Sequence, residues 1–243
     1  MREKILYYAI HYNGNWHKIA NAMHNQEPWK KLTYQGDYIT YEDEMYPKQL
    51  KQLEQPPWIL FYQGNIQLLE KKAVAIIGSR ICDAYGQTRT SHIVSLLKEQ
   101  AVIISGMAKG IDAIAHKTAL SKQTIGVIGC GLDIIYPKEN EYLFQRMAKQ
   151  HLIISEYPNG TEPLSSHFPM RNRIIASLSQ AIIVIQAKKY SGTMLTVNEA
   201  LKLDIPIYCV PHKMGEIYGE GCNYLISQGA NILLDDHDIL SIL

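Results

Sequence analysis

Four cysteines are spread through 243 residues, with no CxxC pair and no ladder of close spacings. That leaves neither a zinc-ligand pattern nor a disulfide framework. Cys82, Cys130, Cys209 and Cys222 read as buried thiols of a reducing compartment, with no bound metal. No apolar run approaches the roughly 20 residues needed to cross a bilayer, and the opening MREKILYYAIHYNGN has no cleavage pattern after its short apolar run. The expectation is a cytoplasmic protein without membrane contact. Three nucleotide and hydrolase signatures are also missing. No GxGxxG follows the first strand of the central region, and no acidic residue ends the second, which argues against a dinucleotide cofactor. GxxxxGK[ST] does not occur, which excludes a P-loop nucleotidase, and there is no GxSxG elbow. No cofactor is expected. Neither an internal repeat nor a low-complexity segment is present.

Net charge is nearly absent as well, at +1. The total hides an uneven distribution: residues 1–70 carry −1, residues 71–189 carry +7 and residues 190–243 carry −5. A basic middle suits a local anion-binding face better than a general polycationic coat. The apolar fraction of 47% and charged fraction of 19% are those of an ordinary globular protein.

From residue 73 onward, short apolar runs alternate with helical patterns. The runs are Val74–Gly78, Val102–Ser105, Thr124–Gly129, Leu152–Ser155, Ala181–Gln186, Ile205–Val210 and Ile232–Leu234. Helical stretches between them include Gln87–Glu99, Ile111–Leu120, Glu139–Lys149, Leu195–Leu203 and Tyr224–Gln228. Continuous apolar strands separated by helices predict an α/β fold: a doubly wound, mostly parallel, Rossmann-like sheet covered on both faces. Residues 1–65 read as a small helical region with helices near Ile5–Ile10 and Trp16–Met23. A short helix around Leu50 and Leu53 and a strand over Trp58–Tyr62 follow. That region has too little apolar surface for a substantial core of its own. The boundary is placed near Asn65, with residues 66–243 forming the main domain.

Ligands of open α/β sheets bind outside the carboxyl ends of the strands. Four of those ends carry small residues beside a donor or cation: Gly78-Ser79-Arg80, the turn from Gly106 to Lys109, Gly129-Cys130-Gly131 leading to Lys138, and Ser191-Gly192-Thr193. Glycine admits a ligand close to the backbone, and free N–H groups at a helix start favour anions. One such turn is ordinary α/β connectivity; four on one edge, with Arg80, Lys109 and Lys138 beside them, point to phosphate. The stretch HFPMRNRIIASLSQ, residues 167–180, adds Phe168, Arg171, Asn172 and Arg173 within six positions of a helix. A ring beside guanidinium and amide donors suits a phosphate and a stacked base.

Enzymatic groups are few. Asp112 and His116, four apart on a helical face, read as an intrahelical hydrogen bond rather than an acid/base pair. Glu156 reads as a solvent-facing or arginine-paired carboxylate. No catalytic residue is assigned.

The sequence resembles the DNA-processing protein A family (DprA, also called Smf). The resemblance rests on VAIIGSR (74–80), SGMAKGIDAIAHKTAL (105–120) and TIGVIGCGLDIIYPKEN (124–140). It continues through residues 153–187, SGTMLTVNEAL (191–201) and GCNYLISQGA (221–230), in family order. It implies a non-catalytic, dimeric protein that binds single-stranded DNA, protects it during natural transformation and helps load the RecA recombinase. Carried onto this chain, the DNA-binding residues are Gly78, Ser79, Arg80, Gly106, Lys109, Lys138, Phe168, Arg171, Asn172, Arg173, Ser191 and Thr193. Among the arginines, Arg171 is expected to touch DNA, with one of the pair free to hold Glu156 or Asp133 instead. The family's C-terminal winged helix is not expected, and Pro211-His212 stands where relatives usually have Pro-Gly. The dimer and RecA surfaces are expected in the last fifty or so residues, with Ile207, Tyr208, Leu225, Ile226 and Leu233. The main rival reading is an enzyme, a nucleotide phosphoribohydrolase of the lysine-decarboxylase-like Rossmann group. In this chain the nearest acid after Ser191-Gly192-Thr193 is Glu199, too far along the helix for that family's spacing. A pure protein adaptor is the third reading.

Overall fold

A computed structural model describes all residues from Met1 to Leu243. Its nine strands are β1 (Asp37–Thr40), β2 (Ile59–Gly64), β3 (Ala73–Ile77), β4 (Val102–Gly106), β5 (Thr124–Ile128), β6 (Leu152–Ser155), β7 (Ala181–Val184), β8 (Ile207–Cys209) and β9 (Asn231–Ile232). They form one sheet in the order β1-β2-β6-β5-β4-β3-β7-β8-β9. The pairs from β6 across to β9 are all parallel, whereas β2 runs antiparallel to both β6 and β1. The doubly wound, mostly parallel architecture read from the sequence is the observed one.

Alternation along the strands supplies both cores. On one face, Ala75, Ile77, Ile104, Val127, Ile154 and Val184 pack under α6 (His167–Ser177) and α7 (Gly192–Lys202). On the other, Val74, Ile76, Ile103 and Ile183 pack under α3 (Ala84–Leu97) and α4 (Ile111–Ala119). Buried parallel strands must be apolar on both sides, which explains their near-continuous hydrophobic runs.

The boundary drawn at Asn65 does not coincide with a break in packing. Strands β1 and β2 lengthen the sheet, and Phe61 of β2 is fully buried. Helices α1 (Arg2–His11) and α2 (Trp16–His24) put Ile5, Tyr8 and Ile19 into a cluster shared with Met107, Ile128 and Ile153. The first 65 residues gain by covering this face what they lack as an independent core. Strand β1 escapes periodicity analysis because only two of its four residues, Ile39 and Thr40, are buried. The short helix near Leu50 is a 3₁₀ turn, Lys48–Gln52, which ends at an extended Leu53, before Pro56-Pro57. At the other end, α8 (Glu220–Ser227) begins four residues before the expected helix, and α9 (Asp236–Leu240) was not foreseen.

Three cysteines are buried and Cys82 is half-buried, and all four thiols are free. No helix is long and apolar enough to cross a membrane. Asp112 and His116 do not form the expected intrahelical bond. His116 Nε2 donates to the Gly106 carbonyl at 2.7 Å, and Nδ1 lies 2.6 Å from Thr124 Oγ1, which ties α4 to β4 and β5.

Burial pulls the His116 imidazole down from its ordinary value to about 4. An unfolded histidine titrates near pH 6.5. Between those values the unfolded chain therefore binds a proton that the folded chain refuses. Stability from this site is complete above about pH 6.5 and falls as pH drops towards 4, by about 3 kcal/mol at the foot of the window. NMR titration of the His116 ring is expected to show it neutral at pH 5, and a midpoint near 6.5 would refute the assignment.

Candidate nucleic-acid interface

The sheet order fixes where a ligand fits. From β3, successive strands β4, β5 and β6 lie to one side, and β7 and β8 to the other. The connections therefore diverge between β3 and β7, which opens a crevice at their carboxyl ends. That crevice is a cleft of about 1010 Å³, including its open mouth, walled by Gly78-Ser79-Arg80 on one side and Ser191-Gly192-Thr193 on the other. Beside it lies a smaller, more apolar recess of about 500 Å³, its open mouth included, floored by Met107, Ile128 and Cys130. Arg80, Ala108, Phe168 and Arg171 border both.

Each wall is set by backbone bonds. Ser79 N donates to the Gln186 carbonyl at 2.8 Å, and Ile111 N donates to the Ser79 carbonyl at 3.2 Å, which clamps the turn between β7 and α4. Gly110 has φ +73°, and a Cβ there would stand 2.3 Å from the Ser79 oxygen, so the close approach requires glycine. Asn140 Nδ2 donates to the carbonyls of Met107 and Ala108 at 2.9 and 3.1 Å and fixes the turn after β4. At α7, no side chain caps the first turn. Its leading N–H groups face the cleft with the positive end of the helix dipole.

Helix α6 crosses the floor and sorts its functional residues by depth. Phe168 is half-buried, and the exposed Arg80 guanidinium lies 5.3 Å from its ring centroid. Tyr136, 43% exposed, flanks Phe168 with centroids 6.0 Å apart and planes tilted 36°. Arg171 is only 9% exposed. Its Nη1 donates to the Val127 carbonyl at 2.8 Å and its Nε to Asn172 Oδ1 at 3.1 Å. Gly106 makes room for it: a Cβ there would stand 1.9 Å from Nη1. Burial pushes the nearby Asp112 carboxyl up and the Arg171 guanidinium down, each opposed by the other's charge. The Arg80 charge further depresses Arg171. Two cations thus converge on one cleft, an arrangement that an entering anion relieves.

Arg173 points elsewhere. Its Nη2 meets Glu156 Oε1 at 2.8 Å with both side chains buried, and it donates further to the carbonyls of Gln55 and Met170. Arg173 therefore has no free face for a ligand, and of the two arginines it is the one that holds Glu156. Asp133 instead accepts from Gly160 N at 2.9 Å. Lys109 borders the recess but is paired with Glu139, and the exposed Lys138 lies on neither wall. Ser191 Oγ is turned to its own loop, donating to the Lys188 carbonyl at 2.9 Å, while Thr193 stays on the cleft wall. Asn172 is largely buried but lines the cleft floor beside Arg171. Periodicity and motif reading missed Met107, Ile128, Tyr136 and Pro137 as recess residues. Tyr136, an aromatic beside a glycine turn, was the one with a usable signal.

Residues 37–243 match the family described as DNA recombination-mediator protein A. The chain is 40% identical to the DNA processing protein DprA of Streptococcus pneumoniae over 201 residues, covering 82% of this chain and 71% of that protein. It is also 40% identical to DprA of Bacillus subtilis over 205 residues, covering 83% and 69%. The crystal structure of the pneumococcal protein superposes with a TM-score of 0.84 at 32% identity, over 99% of this chain and 93% of that one. A Helicobacter pylori DprA structure, described by its single-stranded DNA binding mode, superposes at 0.79 with 35% identity, over 85% and 95%. The chain belongs to the DprA/Smf family of DNA-processing proteins.

Separating Arg173 from the cleft gives a stability test. Arg173→Ala leaves Glu156 charged, buried and unpaired, a loss of about 3–5 kcal/mol. Arg80→Ala, on the exposed rim, stays within about 0.5 kcal/mol of the parent. Urea denaturation of both variants reads the difference, and an Arg173→Ala chain as stable as the parent would contradict the buried pairing.

Proposed function

We propose that this chain is a non-catalytic single-stranded-DNA-binding protein that protects incoming DNA in natural transformation and helps load RecA recombinase. The observation that carries the reading is the coupled cleft and recess. Arg80, Arg171 and the α7 amino terminus face a space that fits phosphate, and Phe168 and Tyr136 edge a mostly apolar space that fits a base. A duplex keeps its bases stacked inward and offers no ring to that recess, whereas a single strand does. The solved Helicobacter pylori relative, described as binding single-stranded DNA, supports the same ligand.

Asp112 lines the cleft as the counter-charge of Arg171, and the other acid/base candidates are engaged elsewhere, which supports a binding role. His116 has both ring nitrogens engaged in the interior, Glu156 is locked to Arg173, and Glu199 pairs with Lys202 at 2.8 Å away from the cleft lining. Glu199, the nearest acid after Ser191-Gly192-Thr193, lies outside the cleft lining, which favours the binding reading over the phosphoribohydrolase alternative.

We place the dimer implied by the family resemblance at the open sheet edge. Strand β9 has no neighbour beyond it, both of its residues are exposed, and Ile232 and Leu234 stand 38 and 71% exposed. Ile207, Leu225 and Leu233, expected at the interface from the sequence, are buried in the protomer's own core. Unpaired strand edges with apolar side chains are natural pairing templates.

Two measurements test this reading. In gel shifts with a single-stranded oligonucleotide against duplex competitor, the parent is expected to prefer the single strand. Arg80→Ala lowers the log–log salt slope by about 0.7 for the phosphate contact removed. Phe168→Ala loses about 1–3 kcal/mol of stacking. Unchanged affinity and slope in both folded variants would sink the proposed pocket. Separately, Ile232→Glu is expected to convert a dimer to a monomer in light scattering, and an unaffected dimer would exclude the β9 edge.

A further inference from the structure

Immediately before the Ser191-Gly192-Thr193 wall, the chain leaves β7 through Lys188-Lys189-Tyr190. All three residues are exposed, and Tyr190 is 91% exposed. None of the three lines the cleft or the recess. Lys31, Lys109, Lys122 and Lys202 each sit against a carboxylate, whereas Lys188 and Lys189 have none within 4.0 Å. They lie over rings instead. Lys188 Nζ is 5.5 Å from the Tyr218 centroid, and Lys189 Nζ is 4.5 Å from Tyr224 and 5.9 Å from Tyr190. A ring face holds an ammonium in place while leaving most of its donors free, whereas a carboxylate would neutralise it.

The base of the turn is fixed. Gly221 N donates to the Ala187 carbonyl at 2.7 Å, and a Cβ on Gly221 would crowd the carbonyls of both Ala187 and Lys188. Ser191 Oγ closes the other side on the Lys188 carbonyl. The turn therefore holds two free cations and an open ring at a defined place beside the cleft wall.

We propose that Lys188-Lys189-Tyr190 is a second contact station for single-stranded DNA, taking the strand as it leaves the cleft past Ser191. The ammonium groups take phosphodiesters and Tyr190 takes the face of a base. This inference rests on the single-strand reading of the cleft. It extends the path because the turn adjoins Ser191 covalently, so a strand seated at Ser191-Gly192-Thr193 and continuing in that direction meets Lys188 to Tyr190 next. Interleaved cations and exposed rings bind single strands irrespective of sequence, and a paired duplex has no free base face to offer Tyr190.

The test compares oligothymidylates of about 3 and about 10 nucleotides, spanning the short end of known single-strand site sizes. The proteins are the full chain, Lys188→Ala/Lys189→Ala, Tyr190→Ala, Tyr190→Phe and Arg80→Ala. The parent is expected to gain affinity with length. The double lysine variant loses about tenfold on the long strand, and its log–log salt slope is smaller by about 1.4, two phosphate contacts. Tyr190→Ala loses about fivefold or more on the long strand, and Tyr190→Phe retains binding. All three turn variants bind the short strand as the parent does, whereas Arg80→Ala weakens both lengths. Long-strand affinity and slope equal to the parent's in the turn variants would overturn the station and leave the cleft standing. Turn variants that lose long-strand binding while Arg80→Ala changes nothing would keep the station and remove the cleft. A parent that binds neither length overturns both.

Discussion

A guanidinium removed from water must have its hydration replaced by fixed partners, and the site depends on how Arg171 meets that constraint. Its charge lies where β4, β5, α4 and α6 come together, against the Val127 carbonyl, Asn172 and the field of Asp112. That placement leaves no room for a side chain at residue 106. It also makes a buried carboxylate at residue 112 useful rather than merely costly, since each charge offsets part of the other's desolvation. With α6 anchored from below, Phe168, one turn earlier, stands at the surface, where Arg80 covers one side of its ring. The residue that the sequence singled out for contact thus also positions the other contacts.

The fold was legible in the sequence because parallel strands buried on both faces leave an unmistakable apolar signature, and six of the seven apolar runs fall on such strands. Elements at the sheet margins were less legible. Strand β1 buries two residues and β9 none, so neither imposes a strong period on its sequence. The same physics hid the covering role of α1 and α2. A helix that supplies only part of a shared core looks, taken alone, like a helix with too little core.

In the site, residue type was legible and depth was not. Arg171 and Arg173 are two apart on one helix, which separates their directions by about 200°, but sequence alone does not say which direction is inward. Both prove to be buried, by different routes. Arg173 finds Glu156 seventeen positions away and the Gln55 carbonyl more than a hundred away, contacts that only the closed fold creates. Lys138 was placed by adjacency to a glycine turn, yet the 3₁₀ turn at Lys138–Asn140 directs Asn140, rather than the lysine, towards the site. Tyr136 was in view among the same residues and supplies a ring to the recess instead.

Net charge near zero and a role on a polyanion are compatible once screening is considered. Exposed charges farther apart than roughly 10 Å contribute little to each other's field at ordinary salt. The acidic groups of the last fifty residues therefore weigh little at the cleft if they stand on other surfaces, and Asp235 and Asp236 do: they lie by α3 and α9, where Asp236 meets His92. What a phosphate meets is set by the cations within that radius and by whether they are already paired. Lys109 is a local cation whose charge is partly spent on Glu139, whereas Arg80 has no carboxylate within 4.0 Å. The unpaired cations, rather than the total of fifteen Lys and Arg in residues 71–189, determine where a strand gains most from binding.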